Sequence, residues 1–212
     1  MPLERVFLDT NIVCNLNWIL SDATFEDGFY NHVSHKFVKT DMELRRDCMA
    51  LRYLIEKDDQ FALQFVVSTN VIAEIQQTPP AGKRDKLLSI VNELATHFEN
   101  QQKEYLGDSD LPPLSPSEQV RWVNFYECGG LDFLPHKADQ RLILDSILQR
   151  CHFFLTLDRK SIWNFRHQLL KIGIKVKRPL EYLQSFMFPL NEANLGFLGT
   201  DDILNIIDCV CE

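Results

Sequence analysis

The chain predicts an α/β fold: a three-layer α/β/α arrangement around a parallel sheet of about four to five strands, with helical insertions. Three observations carry the α/β part. Short apolar runs recur at residues 3–8, 65–67, 153–157 and 174–177, each too brief for a helix. Helical patterns separate them, and alternation of this kind favours parallel strands covered by helices. Finally, acidic residues stand where these elements end or begin, Asp9 after the first run and Asp158 after the third.

Taken in order, residues 3–8 form the first strand and residues 11–20 the helix that follows. Residues 21–40, rich in Asp, Gly, Asn, His and Lys, read as a loop. Residues 41–56 form an amphipathic helix with Leu44, Cys48, Leu51 and Ile55 on one stripe. Phe65, Val66 and Val67 make the second strand, and Ser68 or Thr69 caps the helix that carries Glu74. Pro79-Pro80 ends that helix. Residues 83–103 form a longer helix, with Leu87, Ile90, Val91, Leu94 and Phe98 facing inward. Residues 105–116 contain Gly107 and Pro112-Pro113 and form a loop. Ser115-Pro116-Ser117-Glu118 then opens a helix that stops before Gly129-Gly130. Pro135 introduces the helix bearing Asp139. The third strand follows, then a helix over 160–171 ended by Gly173. A fourth strand at 174–177 leads into a last core helix, 180–187, begun at Pro179. A further apolar helix is expected over 201–210.

With 212 residues, 45% apolar and 25% charged, the composition is that of one elaborated globular domain. The core domain is expected over 1–188, with insertions at about 20–60 and 105–135 and a C-terminal extension over 189–212. No apolar run reaches the length of a membrane span, and the first residues lack the apolar centre of a signal peptide. The expected setting is cytoplasmic, with the six cysteines reduced. Cys209 and Cys211 are spaced too closely for an ordinary zinc pair. The net charge of −8 argues against indiscriminate nucleic-acid binding by the whole surface. Residues 136–180 depart from this average, with ten Lys or Arg against three acids. A basic stretch around candidate acids suits an anionic substrate; the plainer alternative is a set of solvated helix faces.

Four carboxylates are the candidates for chemistry: Asp9, Glu74, Asp139 and Asp158. Singly, each has an ordinary structural use. Asp9 can cap a helix, Glu74 can be a solvated helix residue, and Asp158 can form a turn. Jointly they stand at the boundaries where an open parallel sheet gathers functional groups, beyond the carboxyl ends of its strands. Asp145 rivals Asp139, but six positions along a helix is about 240° of rotation, so both cannot face one pocket. Asp139, in register with Leu142 and Ile143, is preferred.

These motifs resemble those of the PIN-domain nucleases. The resemblance rests on Leu8-Asp9-Thr10-Asn11, Glu74 in its helix, Asp139 with Leu142-Ile143, and Leu155-Thr156-Leu157-Asp158. Gly173-Ile174-Lys175-Val176 and Pro179-Leu180 look like the closing strand and helix of that fold. The likeness runs through residues 3–187 and implies a metal-dependent endoribonuclease. Asp9, Glu74, Asp139 and Asp158 would hold Mg²⁺ or Mn²⁺, directly or through water, since hard cations take oxygen ligands. Thr10, Asn11 and Thr156 would position ligands, and Lys137, Arg141, Arg159 and Lys160 are candidates for the RNA phosphates. An antitoxin or other protein partner and a homodimer are further possibilities. Two other readings stand beside this one. A PIN-fold scaffold would bind RNA or protein without strong catalysis. A haloacid-dehalogenase-type phosphatase would also begin with Asp after a strand, but it needs a second Asp where this chain has Asn11.

Overall fold

In the computed structural model, residues 4–19, 42–56, 62–79, 81–105 and 114–187 are described. The expected loop at 21–40, the C-terminal extension with its helix at 201–210, and Cys209 and Cys211 lie outside them.

Four strands build one sheet: β1 (Glu4–Leu8), β2 (Leu63–Val66), β3 (Phe153–Leu155) and β4 (Lys175–Lys177). All pairs are parallel, in the order β2-β1-β3-β4. The fold is α/β, as the alternation of elements indicates. Val6, Phe7 and Leu8 are wholly out of water, and so are Phe154 and Leu155. A continuous apolar run is what a strand covered on both faces requires. Phe7 stacks on Phe154 with ring centroids 5.1 Å apart across the β1–β3 pairing. Each fully buried side chain of this kind contributes roughly 1.5–3 kcal/mol.

β2 begins and ends earlier than the run at residues 65–67 suggested. Its register pairs Glu4 with Leu63 and Phe7 with Val66, so Val67 lies past the end of the ladder. The helices meet their expected positions with small changes at the ends. α1 (Thr10–Ile19) follows β1 directly and buries Ile12, Val13 and Leu16. α2 (Met42–Glu56) buries Cys48 and Leu51 from the expected stripe and leaves Leu44 and Ile55 partly covered; Leu54 and the charged Asp47 are buried as well. α3 (Thr69–Gln76) is capped by Ser68, whose Oγ accepts from the Val71 amide at 3.4 Å. α4 runs Ala81–Tyr105, longer at both ends than 83–103, with Leu87, Val91 and Leu94 buried; the Phe98 side chain lies outside the described ones.

α5 (Pro116–Glu127) opens with a full capping box between Ser115 and Glu118. It stops at Gly129, where φ is +84°, a conformation open to glycine and strained for other residues. α6 (Lys137–Leu148) carries Asp139 in its first turn. The helix expected over 160–171 is broken into a 3₁₀ turn, Ile162–Phe165, and α7 (Arg166–Lys171). The cause is local. The Asp158 carboxylate accepts from the amides of Lys160 at 2.7 Å and Ser161 at 3.3 Å, and so holds the segment in a turn before any helix starts. α8 (Pro179–Met187) packs along α2, and its Tyr182 hydroxyl donates to Glu4 at 2.6 Å. Among the described residues, no helix is long and apolar enough to cross a membrane.

Candidate active site

The strand order sets the location. β2 lies on one side of β1 and β3 on the other, so the chain reverses its direction of winding between β1 and β3. The carboxyl ends of those two strands therefore flank a switch point, where α/β sheets open a crevice. Asp9 follows β1 and Asp158 lies three residues past β3.

Asp9 is 4% exposed. Its amide donates to the Leu155 carbonyl at 3.1 Å, which extends the ladder by one residue and fixes the side chain beside the end of β3. Oδ2 accepts from the Thr156 hydroxyl at 2.5 Å and the Asn11 amide at 2.7 Å. Thr156 Oγ1 in turn accepts from the Asp158 amide at 2.9 Å, so one hydroxyl links the first strand's acid to the third's. Asn11 completes the clamp by accepting from the Leu157 amide at 2.9 Å. Thr156 and Asn11 thus hold Asp9 in place, and Asn11, spent on donating to a carboxylate, offers no acid for phosphatase chemistry.

The electrostatics of Asp9 are unfavourable to charge. Burial, followed by the nearby carboxylates of Asp139 and Asp158, raises its pKa from 3.8 to about 7, although the Thr156 hydroxyl and the Thr10 amide pull it down. Among the described residues, no Lys, Arg or His pairs with it. Burial also raises Asp139; Ser161 and His136 oppose that shift, while Asp158 and Glu74 add to it. Glu74, half-buried on α3, therefore joins the group through Asp139. It also acts, with Asp9, on Cys14, a half-buried thiol one turn into α1.

Among the described residues, Asp139 Oδ2 and Thr10 Oγ1 are buried without a hydrogen-bond partner, as is Arg5 Nε on β1. Such groups are costly at about 1–3 kcal/mol each and mark places where an ion or water completes the bonding. Asp145 is used otherwise: its Oδ2 accepts from Asn70 at 2.8 Å and ties α6 to α3. Asp139 and Asp145 thus face different surroundings, as their helical separation requires.

Of the proposed phosphate contacts, Lys137 is bonded to Asp132 at 2.7 Å and Gln140 at 3.0 Å, and Arg159 pairs with Glu43 at 3.1 Å. Arg141 and Lys160 are exposed. Residue-by-residue reading missed Ser161, a buried side chain whose hydroxyl donates to Asp158 Oδ2 at 2.8 Å and also acts on Asp139. One hydroxyl proton cannot serve both carboxylates at once. The signal was present in the spacing, since an Asp three residues before a Ser commonly forms a side-chain-bonded turn.

The donor chemistry is all oxygen and suits a hard cation. Among the described residues, however, no group of three or more His, Cys, Asp or Glu is gathered so as to hold a metal ion. Mg²⁺ is commonly held by one or two carboxylates and several waters, and an open arrangement of this kind remains within that pattern. Comparison with protein-family models, with curated proteins and with solved structures finds no match for this chain.

Proposed function

We propose that this protein is a PIN-like, metal-dependent endoribonuclease in a cytoplasmic setting, with its sheet as the middle of three layers. The observation that carries the reading is Asp9: a carboxylate buried at the switch point, repelled by Asp139 and Asp158, with no cation from the described chain against it. Such a group either keeps a proton or receives a cation. In this reading Asp9 and Asp139 hold Mg²⁺ or Mn²⁺ most directly, and Glu74 and Asp158 act through water. When bound, the ion neutralises the pocket, polarises a phosphodiester and activates water.

The chain's own part is orientation. Thr156 and Asn11 fix Oδ2 of Asp9, and the Thr10 amide also bonds its carboxylate. Ser161 holds Asp158 through its hydroxyl and favours the charged form of Asp139. Thr10 offers a ligand or water a hydroxyl that has no partner among the described residues. Arg141 and Lys160 are the exposed cations available to an RNA backbone.

A second reading, a PIN-fold scaffold binding RNA or a protein partner such as an antitoxin or a second copy, is favoured by one observation: among the described residues, the acids do not converge as a closed metal set. Cleavage of labelled single-stranded RNA separates the two. The nuclease should cut with Mg²⁺ or Mn²⁺, stop with EDTA, and lose about 10²-fold or more in rate as Asp9→Asn while staying folded. Equal cleavage by native and Asp9→Asn protein would remove the enzymatic reading.

A further inference from the structure

A second feature at the same edge of the sheet concerns arginines. Arg159 lies past β3 and Arg178 lies one residue past β4, so both belong to the carboxyl edge that carries Asp9 and Asp158. They converge on a single atom. Glu43 Oε2, in the first turn of α2, accepts from Arg159 Nη1 at 3.1 Å and from Arg178 Nη1 at 3.1 Å. The Glu43 side chain is 63% exposed, whereas the Arg178 side chain is 11% exposed.

Arg178 is built in. Asp47, 1% exposed, accepts from Arg178 through Nε at 2.8 Å and through Nη2, and its other oxygen accepts from the Leu180 amide at 3.2 Å. The Arg178 guanidinium also lies 5.9 Å from the centre of the Trp163 ring, whose Nε1 donates to Glu181 at 3.2 Å. Arg178 therefore has one side locked by a buried carboxylate and one N–H turned outward to a carboxylate that water reaches. Glu43 is the displaceable member, because an exposed ion pair contributes only about 0–1 kcal/mol. Paired guanidiniums suit a phosphate, whose oxygens accept in the same fork geometry.

We infer that Arg159 and Arg178 form a phosphate site for the backbone of a single-stranded RNA, and that Glu43 occupies it in the free protein as an internal stand-in. This rests on the ribonuclease reading for the identity of the ligand, but not for the existence of the site. Arg159 follows Asp158 directly in the chain, so the site and the acids share one end of the sheet. A two-arginine site positions a backbone phosphate, with no base contact required.

The test is binding without chemistry. A labelled single-stranded RNA oligonucleotide, and inorganic phosphate as a separate probe, are titrated in EDTA against the native protein, Glu43→Gln and Arg159→Gln. Working in EDTA keeps the result apart from the nuclease reading, which fails or stands on cleavage alone. Glu43→Gln should bind the RNA about threefold or more tightly, since it removes a competing carboxylate. Arg159→Gln should bind it more weakly and lower the slope of log K against log salt by about 0.7, the value of one single-strand phosphate contact. Arg178 is left intact, because its loss would strand Asp47. Unchanged or weaker RNA binding by Glu43→Gln would overturn the stand-in role. Tighter binding of inorganic phosphate alone, with RNA unmoved, would overturn the backbone assignment.

Discussion

Asp9 and Asp47 are both buried, at 4% and 1% exposure, yet they meet opposite surroundings. Asp47 has a cation built against it. Burial leaves its pKa raised above the ordinary value, with Arg178 and the Leu180 amide opposing the shift. Burial likewise works against the charge on Arg178, but its bonds to Asp47 and Glu43 outweigh this and hold the guanidinium above its ordinary value. Asp9 has hydroxyl and amide donors, with two other carboxylates as neighbours, and its pKa reaches about 7. One acid has a cation from the fold; against the other, none stands among the described residues. A buried carboxylate with its own arginine holds elements together. One without is a candidate for function.

The largest effect should come from breaking the neutralised pair. Arg178→Met strands Asp47, and unfolding stability should fall by about 3–5 kcal/mol. The double variant Asp47→Leu with Arg178→Met should recover most of that loss, because apolar packing can replace a buried pair. Denaturant unfolding of the three proteins measures both values. A double variant no better than the single one would show that the pair does more than neutralise itself.

Asp9 should show its burden as pH dependence in the metal-free protein. Its folded pKa, about 7, lies above its ordinary 3.8, so the folded state binds the proton more tightly. Its contribution is therefore fully present below about pH 4 and lost as pH rises towards 7, a fall of about 4 kcal/mol that then levels off. Asp9→Asn should flatten that part of the curve, so that the variant is the more stable protein at pH 8. Equal pH profiles for the two proteins would place the charge of Asp9 in a comfortable setting and undo the contrast with Asp47.

Smaller effects should follow the neighbours. Asp139→Asn should lower the Asp9 midpoint more than Asp158→Asn, as Asp139 is the stronger of the two repelling charges. Titration of Asp9 by NMR reads both. Asp145→Asn should be the mildest change, within about 0.5 kcal/mol, since its bond to Asn70 can be kept by an amide oxygen and it takes no part in the pocket.

The two aspartates also differ in how far the sequence discloses them. Asp9 is visible locally: an apolar run ends and an acid stands at the boundary. The parallel sheet, the helix stripes and the separation of Asp139 from Asp145 follow from the same short-range periodicities. Asp47 is invisible in that way, because its partner lies 131 residues further on and nothing in the pattern of α2 marks a buried charge. The break in the helix after Asp158 was missed for a different reason. Helical periodicity runs through residues 160–171, but side-chain bonds from Asp158 to two amides override it. The start of β2 depended on register with β1, a long-range property. Local chemistry was legible, and pairing across the fold was not.

Among the described residues, no cation stands against Asp9 as Arg178 stands against Asp47. Thermal unfolding with and without Mn²⁺ tests it most directly. A ligand at a hundredfold excess over its Kd stabilises the folded state by about 2.7 kcal/mol, roughly 5 °C or more in Tm for a chain of this size. The native protein should show that rise, and Asp9→Asn combined with Asp158→Asn should lose it. No rise in the native protein, or an equal rise in both, would contradict a cation site at the carboxyl edge of the sheet.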